Sequence, residues 1–179
     1  MWTNIFKFEY NEIRGIKMAV KLVKFSTKNL PALRFIGKEC KCSPKEFIAK
    51  WDEWLKNDWF TQLIKLGPAD ENGDMYLGLT DNNGCYWIGM LFQMNTPIPD
   101  GFEYIDIPAG KFAVSQFEGK NDKELLSEDG INLVIEEVSK HGLTPVSLWN
   151  GWCIERYNHS FISCKENKVL VECLYEIKP

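Results

Sequence analysis

The segment DMYLGLTDNNGCYWIGMLFQM, residues 74–94, holds two apolar runs separated by Asp81-Asn82-Asn83-Gly84. Asn-Gly between two such runs is a strong signal for a tight β-turn, because both residues tolerate the positive φ that the turn needs. The segment therefore predicts two neighbouring antiparallel strands. The residues before it determine which fold they belong to.

A strand and a helix are predicted before this hairpin. LPALRFIGKECKC, residues 30–42, alternates apolar and polar residues as a half-buried strand does. Ser43-Pro44-Lys45-Glu46 then combines an N-cap serine, a proline at the first helical position and a glutamate at the third. An apolar stripe at helical spacing carries the predicted helix to about Lys65, and Gly67-Pro68 ends it. The order is strand, helix, strand, strand.

The same order occurs again about 75 residues later. GFEYIDIPAGKFAVSQFEG (101–119) is strand-like, NDKELLSEDGINLVIEEVSKHG (121–142) is helical, and VSLWNGWCIERY (146–157) and KVLVECLYEIKP (168–179) supply two closing strands. Two βαββ units predict an α+β fold with two curved antiparallel sheets, one helix on each and a ligand groove between them. We expect an extension at 1–17 and a domain at 18–179, with repeats at about 30–94 and 101–179.

Composition and charge exclude several classes of protein. Hydrophobic residues make up 45% and charged residues 26%, and no apolar run approaches the roughly 20 residues of a membrane span. The net charge is −4 with no basic cluster, so a nucleic acid is a poor candidate partner. The N-terminus lacks the pattern of a signal peptide, and the six cysteines show no CxxC spacing. We expect a cytoplasmic protein with reduced thiols and no membrane association.

The strand ending in CIERY carries the principal candidate site. On a regular strand Trp149, Cys153, Glu155 and Tyr157 share one face, and Trp152, Ile154 and Arg156 share the other, which suits packing on helices. A carboxylate between aromatic residues suits a cationic or aromatic small molecule. The alternative is that Glu155 pairs with a lysine or arginine at the rim. Sequence leaves both open.

These segments resemble a known family. IPAGKFAVSQFEG followed by a helix, then LWNGWCIERYN and a terminal VECLYEIKP, is similar to the GyrI-like small-molecule-binding domains, which include the effector-binding domains of AraC-type and multidrug-responsive transcription activators. The resemblance covers about Met18 to Pro179, and Glu155-Arg156-Tyr157 is its most specific part. Only about 29 residues precede the first predicted strand, too few for a helix-turn-helix module, so we expect a stand-alone member.

The resemblance implies a ligand site. It makes Glu155 the acid that neutralises a lipophilic cation, with Trp149 and Tyr157 as aromatic walls and Trp87 and Phe92, on opposite faces of their strand, as weaker candidates. Trp51, Trp54 and Trp59 on the first helix are either bulky core or an extra wall.

The resemblance also leaves two other functions open. Some stand-alone members hydrolyse cyclopropane-bearing genotoxic compounds, for which Glu155 and Tyr157 would be catalytic; gyrase-inhibitor-like members bind proteins. No cofactor is expected. Cys40 and Cys42 lack the further ligands of a zinc site, and neither His141 nor His159 lies in an apolar stripe suited to haem.

Overall fold

The computed structural model describes residues 21–41, 46–67, 76–119, 128–146, 151–157 and 169–178. These residues form eight strands and three helices. The strands are β1 (Lys21–Leu30), β2 (Leu33–Glu39), β3 (Tyr76–Thr80), β4 (Tyr86–Gln93), β5 (Glu103–Ile107), β6 (Gly110–Gly119), β7 (Cys153–Tyr157) and β8 (Val169–Glu176). The helices are α1 (Phe47–Lys56), α2 (Trp59–Ile64) and α3 (Glu128–Lys140).

All eight strands lie in one curved antiparallel sheet with the order β1-β6-β8-β7-β3-β4-β2-β5. The unit β2-α1-α2-β3-β4 supplies one half, and the unit β6-α3-β7-β8 supplies the other. The α+β class and the duplicated antiparallel arrangement are confirmed. The two curved sheets that the repeats predict are joined edge to edge by the pairing of β3 with β7.

The outermost strands are exchanged between the two halves. β1 precedes β2 in the chain but pairs with β6, and β5 precedes β6 but pairs with β2. The first strand predicted from the sequence begins at residue 30, so β1 was not predicted. The reason is that β1 is an edge strand, mostly exposed and rich in lysine, so it lacks the apolar alternation of a half-buried strand.

The helices pack on the face of the sheet that carries Glu155. Trp51 of α1 contacts the ring of Tyr157, and Phe60 of α2 contacts the ring of Tyr76. The expectation that the Trp152–Ile154–Arg156 face meets the helices is wrong. The Glu155 face is the more aromatic of the two, and those rings supply the apolar area that the helices cover.

The predicted single helix is two helices in the structure. α1 ends at Lys56, and Asn57 follows, with its side-chain amide donating to the Glu53 carbonyl at 2.9 Å. Asp58 then adopts φ 57°, a left-handed conformation that aspartate tolerates better than most residues, and α2 begins at Trp59. Helix α1 starts after Glu46; the predicted cap at Ser43 and Pro44 lies outside the described residues.

Gly37 of β2 and Gly89 of β4 leave room for the ring of Phe35 and for close contact between the two strands. Gly37 and Gly89 are directly opposite each other, and the fully buried Phe35 ring lies against both. A Cβ on Gly89 would meet the Ile36 carbonyl oxygen and lie 2.7 Å from the Gly37 Cα. Among the described residues no helix is long and apolar enough to cross a membrane.

Replacing Gly89 with alanine should destabilise the protein strongly. The added methyl group meets backbone atoms of β2 that cannot move without breaking the ladder, so we expect a loss of about 2–4 kcal/mol in the free energy of unfolding. Urea unfolding followed by circular dichroism measures this. Gly110→Ala is the control, because the nearest atom to its Cβ would be a side-chain carbon at 3.3 Å. Equal stability of the two variants would contradict the assignment.

Candidate functional site

The Glu155 carboxylate lies at the junction of the two halves of the sheet. Glu155 is the central residue of β7, and its partner across the β3–β7 pairing is Gly78. Residues that are directly opposite on paired strands project from the same face. The carboxylate therefore projects from the middle of the sheet toward the side that α1 and α2 cover.

Two tyrosine hydroxyls hold one oxygen of this carboxylate. The Tyr86 hydroxyl donates to Glu155 Oε2 at 3.1 Å, and the Tyr157 hydroxyl donates to the same atom at 3.0 Å. The Trp51 indole N–H of α1 donates in turn to the Tyr86 hydroxyl oxygen at 3.2 Å. A chain of hydrogen bonds thus links the helix to the carboxylate and fixes its orientation.

Among the residues that the structure describes, no cationic side chain compensates the charge of Glu155. Its hydrogen bonds come from the two tyrosines, and no lysine or arginine of the described part of the chain forms an ion pair with it. Arg156 projects from the other face, where it pairs with Glu172 at 3.2 Å. The rim pairing that sequence left open is not found in these residues.

The surroundings of Glu155 disfavour its ionised form. The side chain keeps partial contact with solvent, but protein atoms surround it closely enough to remove most of its hydration. Burial raises the pKa of Glu155, and the hydrogen bonds from Tyr157 and Tyr86 partly offset that rise. The same burial, next to the acid, raises the pKa of both tyrosine hydroxyls well above the usual value. Both hydroxyls therefore act as donors at neutral pH.

Gly78 makes room for this cluster. A Cβ at Gly78 would meet the Tyr86 hydroxyl and lie 2.8 Å from Glu155 Oε2. Any larger residue at this position would have to displace the hydroxyl or the carboxylate. Gly78 thus belongs to the site although it has no side chain.

Aromatic rings enclose the carboxylate on the helix side. The Trp51 ring stands edge-on to the Tyr157 ring with centroids 5.0 Å apart. The Phe47 ring stacks on the Tyr86 ring with centroids 4.1 Å apart. Rings in these positions present π surfaces and apolar edges next to an acid, which is the composition that favours an aromatic cation.

A surface cleft of about 270 Å³ adjoins the cluster. Its walls come from the end of β2, the start of α1 and the β3–β4 turn, namely Glu39, Cys40, Lys41, Phe47, Gly84, Cys85 and Tyr86. Phe47 and Tyr86 are therefore shared between the cleft and the surroundings of Glu155.

The structure brings together only part of the predicted site. Glu155 and Tyr157 are adjacent and hydrogen-bonded, whereas Trp149 lies outside the described residues. Trp87 projects from the opposite face of β4 to Tyr86, and its indole N–H donates to Asp81 at 3.2 Å. Phe92 shares the face of Tyr86 but is six residues along the strand, about 20 Å away, and is fully buried opposite Arg34.

Tyr86 and Gly78 were not predicted as residues of the site from the sequence. Trp51 was predicted only as core or as an extra wall, and its hydrogen bond to Tyr86 was not anticipated. Tyr86 is the first residue after the hairpin turn, and only the pairing register shows that its hydroxyl reaches β7. Gly78 is likewise placed opposite Glu155 only by the register of the β3–β7 pairing.

Other potential ligand groups lie apart from this cluster. The described residues contain no group of three or more His, Cys, Asp or Glu side chains placed to hold a metal ion. His141 follows α3, where it is exposed, stacks on Phe25 and lies 3.3 Å from Glu137. His159 and Cys42 lie outside the described residues.

Solved structures share this fold. The structure of SAV2435 bound to tetraphenylphosphonium superposes with a TM-score of 0.63 at 16% identity, covering 87% of this chain and 94% of that one. A protein from Staphylococcus aureus MU50 described as a bacterial transcription regulation protein gives 0.61 at 14% identity, covering 87% and 99%. EcmrR, in a complex with DNA, gives 0.59 at 11% identity, covering 90% of this chain and 59% of that one.

These similarities confirm the GyrI-like fold that the sequence resemblance implied. No protein-family profile matches the chain, and no curated protein sequence matches it.

Replacing Glu155 with glutamine should stabilise the protein at neutral pH. An acid whose pKa is raised in the folded state lowers stability as pH rises through that pKa, because the folded protein must then bury the charge. We expect the Glu155→Gln variant to unfold at higher urea concentration than the wild type at pH 7, by more than the roughly 0.5 kcal/mol of an ordinary surface substitution. The difference should shrink at pH 4, below the unfolded-state pKa.

Glu53→Gln is the control for this comparison. Glu53 is a half-exposed residue of α1 that pairs with Lys50, so its replacement should change stability by less than about 0.5 kcal/mol. A Glu155→Gln variant that is less stable than the wild type at pH 7 and equally so at pH 4 would show that Glu155 is a structural acid.

Proposed function

We propose that this protein binds an amphipathic small molecule, a lipophilic or aromatic cation, with Glu155 as its counter-ion, and that it acts by sensing or sequestering that molecule. The observation that carries the proposal is a largely buried carboxylate that has aromatic neighbours and tyrosine donors but no cationic partner in the described chain. Such a charge is costly unless something compensates it. A bound cation would supply that compensation.

The comparisons support the proposal at the level of the fold. SAV2435 is bound to tetraphenylphosphonium, a lipophilic cation. Two further proteins of this fold are one described as a transcription regulation protein and EcmrR, which is in a complex with DNA. The described residues hold no larger acidic cluster beside Glu155, so the site would favour a single positive charge. We therefore place the ligand among monovalent organic cations.

Tetraphenylphosphonium is the first probe for this function. Titration calorimetry should detect binding to the wild type, and Trp51 fluorescence should change because its ring borders the site. Glu155→Gln should weaken binding by about tenfold or more, since at least about 1.4 kcal/mol of attraction is lost. Glu53→Gln should bind like the wild type. Equal affinity of the wild type and Glu155→Gln would contradict the counter-ion role.

The fluorescence response also locates the ligand relative to the two candidate indoles. Trp149 is the indole that the family resemblance implies as a wall of the site, and Trp51 is the indole that hydrogen bonds link through Tyr86 to the carboxylate. If the fluorescence change on ligand binding is as large in Trp51→Phe and in Trp149→Phe as in the wild type, the ligand lies away from this cluster.

One observation favours a hydrolase as the second candidate function. The Tyr157 hydroxyl donates to Glu155 Oε2 at 3.0 Å, so a candidate general base and a candidate proton donor are adjacent. In that role Glu155 would activate water toward a strained electrophile. The raised pKa of the carboxyl group suits an acid–base catalyst.

A cyclopropane-bearing electrophile separates the hydrolase from the binder. Under the hydrolase hypothesis the wild type forms the ring-opened product, Glu155→Gln eliminates turnover, and Tyr157→Phe slows it by roughly 10²-fold. Product formation is followed by chromatography at increasing protein concentration. Turnover that is absent at every concentration, or that survives Glu155→Gln unchanged, would exclude catalysis by this pair.

A further inference from the structure

The hydroxyl groups beside Glu155 have no proton left for a ligand. A tyrosine hydroxyl has one proton, and both Tyr86 and Tyr157 direct theirs to Glu155 Oε2. The Tyr86 oxygen is also used, because it accepts the hydrogen bond from the Trp51 indole. While these bonds persist, a ligand group that only accepts hydrogen bonds finds no donor in this pair of tyrosines.

The other carboxylate oxygen, Glu155 Oε1, can still accept a hydrogen bond. Glu155 Oε1 accepts no hydrogen bond from the described part of the chain, whereas Oε2 accepts two. A carboxylate oxygen has two lone pairs, so Oε1 has unused acceptor capacity. The side chain is not sealed from solvent, which leaves this oxygen within reach of an incoming group. The cluster therefore offers a ligand an acceptor but no tyrosine donor.

We infer that the site selects organic cations that carry an N–H donor, such as protonated aromatic amines and amidinium or guanidinium groups, over quaternary cations of the same shape and charge. This inference rests on the proposed function. An N–H group can form a charge-assisted hydrogen bond to Oε1, which is short and about twice as strong as a neutral one. A quaternary cation interacts with the same carboxylate through charge alone and leaves Oε1 unpaired in a poorly hydrated setting.

The tyrosines strengthen this selectivity. Their two hydrogen bonds hold Oε2 in place, so the carboxylate cannot readily rotate to exchange its oxygens. The Trp51 bond to Tyr86 and the stacking of Phe47 on Tyr86 restrain the ring that carries one of these donors. The direction from which a donor must approach Oε1 is thus fixed before the ligand binds.

Acridine orange and its 10-methyl derivative test the inference. Both are planar monocations at pH 7 with nearly the same aromatic body, but the first has N–H at the ring nitrogen where the second has N–CH₃. Fluorescence titration of the full-length wild type should show acridine orange binding at least about tenfold more tightly, the value of one hydrogen bond to a charged group. Tetraphenylphosphonium, titrated in parallel, reports whether the site binds cations at all.

Two variants assign the preference to Glu155. The ratio of the two affinities should fall toward one in Glu155→Gln, because the amide cannot offer a charged acceptor. It should stay at the wild-type value in Glu53→Gln, which makes the same chemical change at a half-exposed position of α1.

The outcomes separate the inference from the proposed function. If both dyes bind wild type equally, or the methylated dye binds more tightly, the N–H preference is overturned while the cation site stands. If the preference persists in Glu155→Gln, the donor contact is elsewhere and the assignment to Oε1 is overturned. If neither dye nor tetraphenylphosphonium binds, the proposed function fails and the inference fails with it.

Discussion

The pairing of β3 with β7 is the constraint on which the rest of the structure depends. Each half of the sheet ends in one of these strands, and neither half alone has enough strands and helix cover to bury both of its faces. Joining them places β3 and β7 side by side in the middle of the sheet. There Gly78 is directly opposite Glu155. The fold thus presents one carboxylate opposite a residue that has no side chain.

That asymmetry determines the chemistry of the site. The space that Gly78 leaves is filled by the Tyr86 hydroxyl, which reaches Glu155 from β4 across β3. The carboxylate is therefore oriented by side chains from both repeats, Tyr86 from the first and Tyr157 from the second. Helix α1 adds Trp51 above them. A charge that has hydrogen bonds but no counter-charge among the described residues raises the energy of the folded protein.

The two faces of β7 carry charged residues in different environments, Arg156 on one face and Glu155 on the other. Arg156 is almost fully buried, yet it pairs with Glu172, whose other oxygen accepts a hydrogen bond from Gln116 at 2.9 Å. These three residues are directly opposite one another on β7, β8 and β6, so strand register alone brings them together. Glu155 is the next residue in the chain, but its side chain projects the other way. Arg156 is adjacent to Glu155 in the chain but therefore does not neutralise it.

The repeated strand–helix–strand–strand order and the hairpin at Asn83-Gly84 were predictable from the sequence, because turn chemistry and alternation are local properties of the chain. Glu155 and Tyr157 were predicted as site residues, and the structure shows a hydrogen bond between them. The strand β1 was not evident, since an exposed, lysine-rich edge carries no apolar alternation. The break at Asn57–Asp58 was also missed, because it depends on one left-handed residue within an otherwise continuous apolar stripe.

The surroundings of Glu155 follow from strand pairing and helix packing. Trp87 and Tyr86 are adjacent in the sequence and equally plausible as aromatic walls, but strand geometry points one toward Asp81 and the other toward Glu155. Which face the helices cover was likewise decided by packing, because both faces of β7 carry apolar residues. Contacts between strands far apart in the chain are set by pairing register, and a single sequence does not state that register.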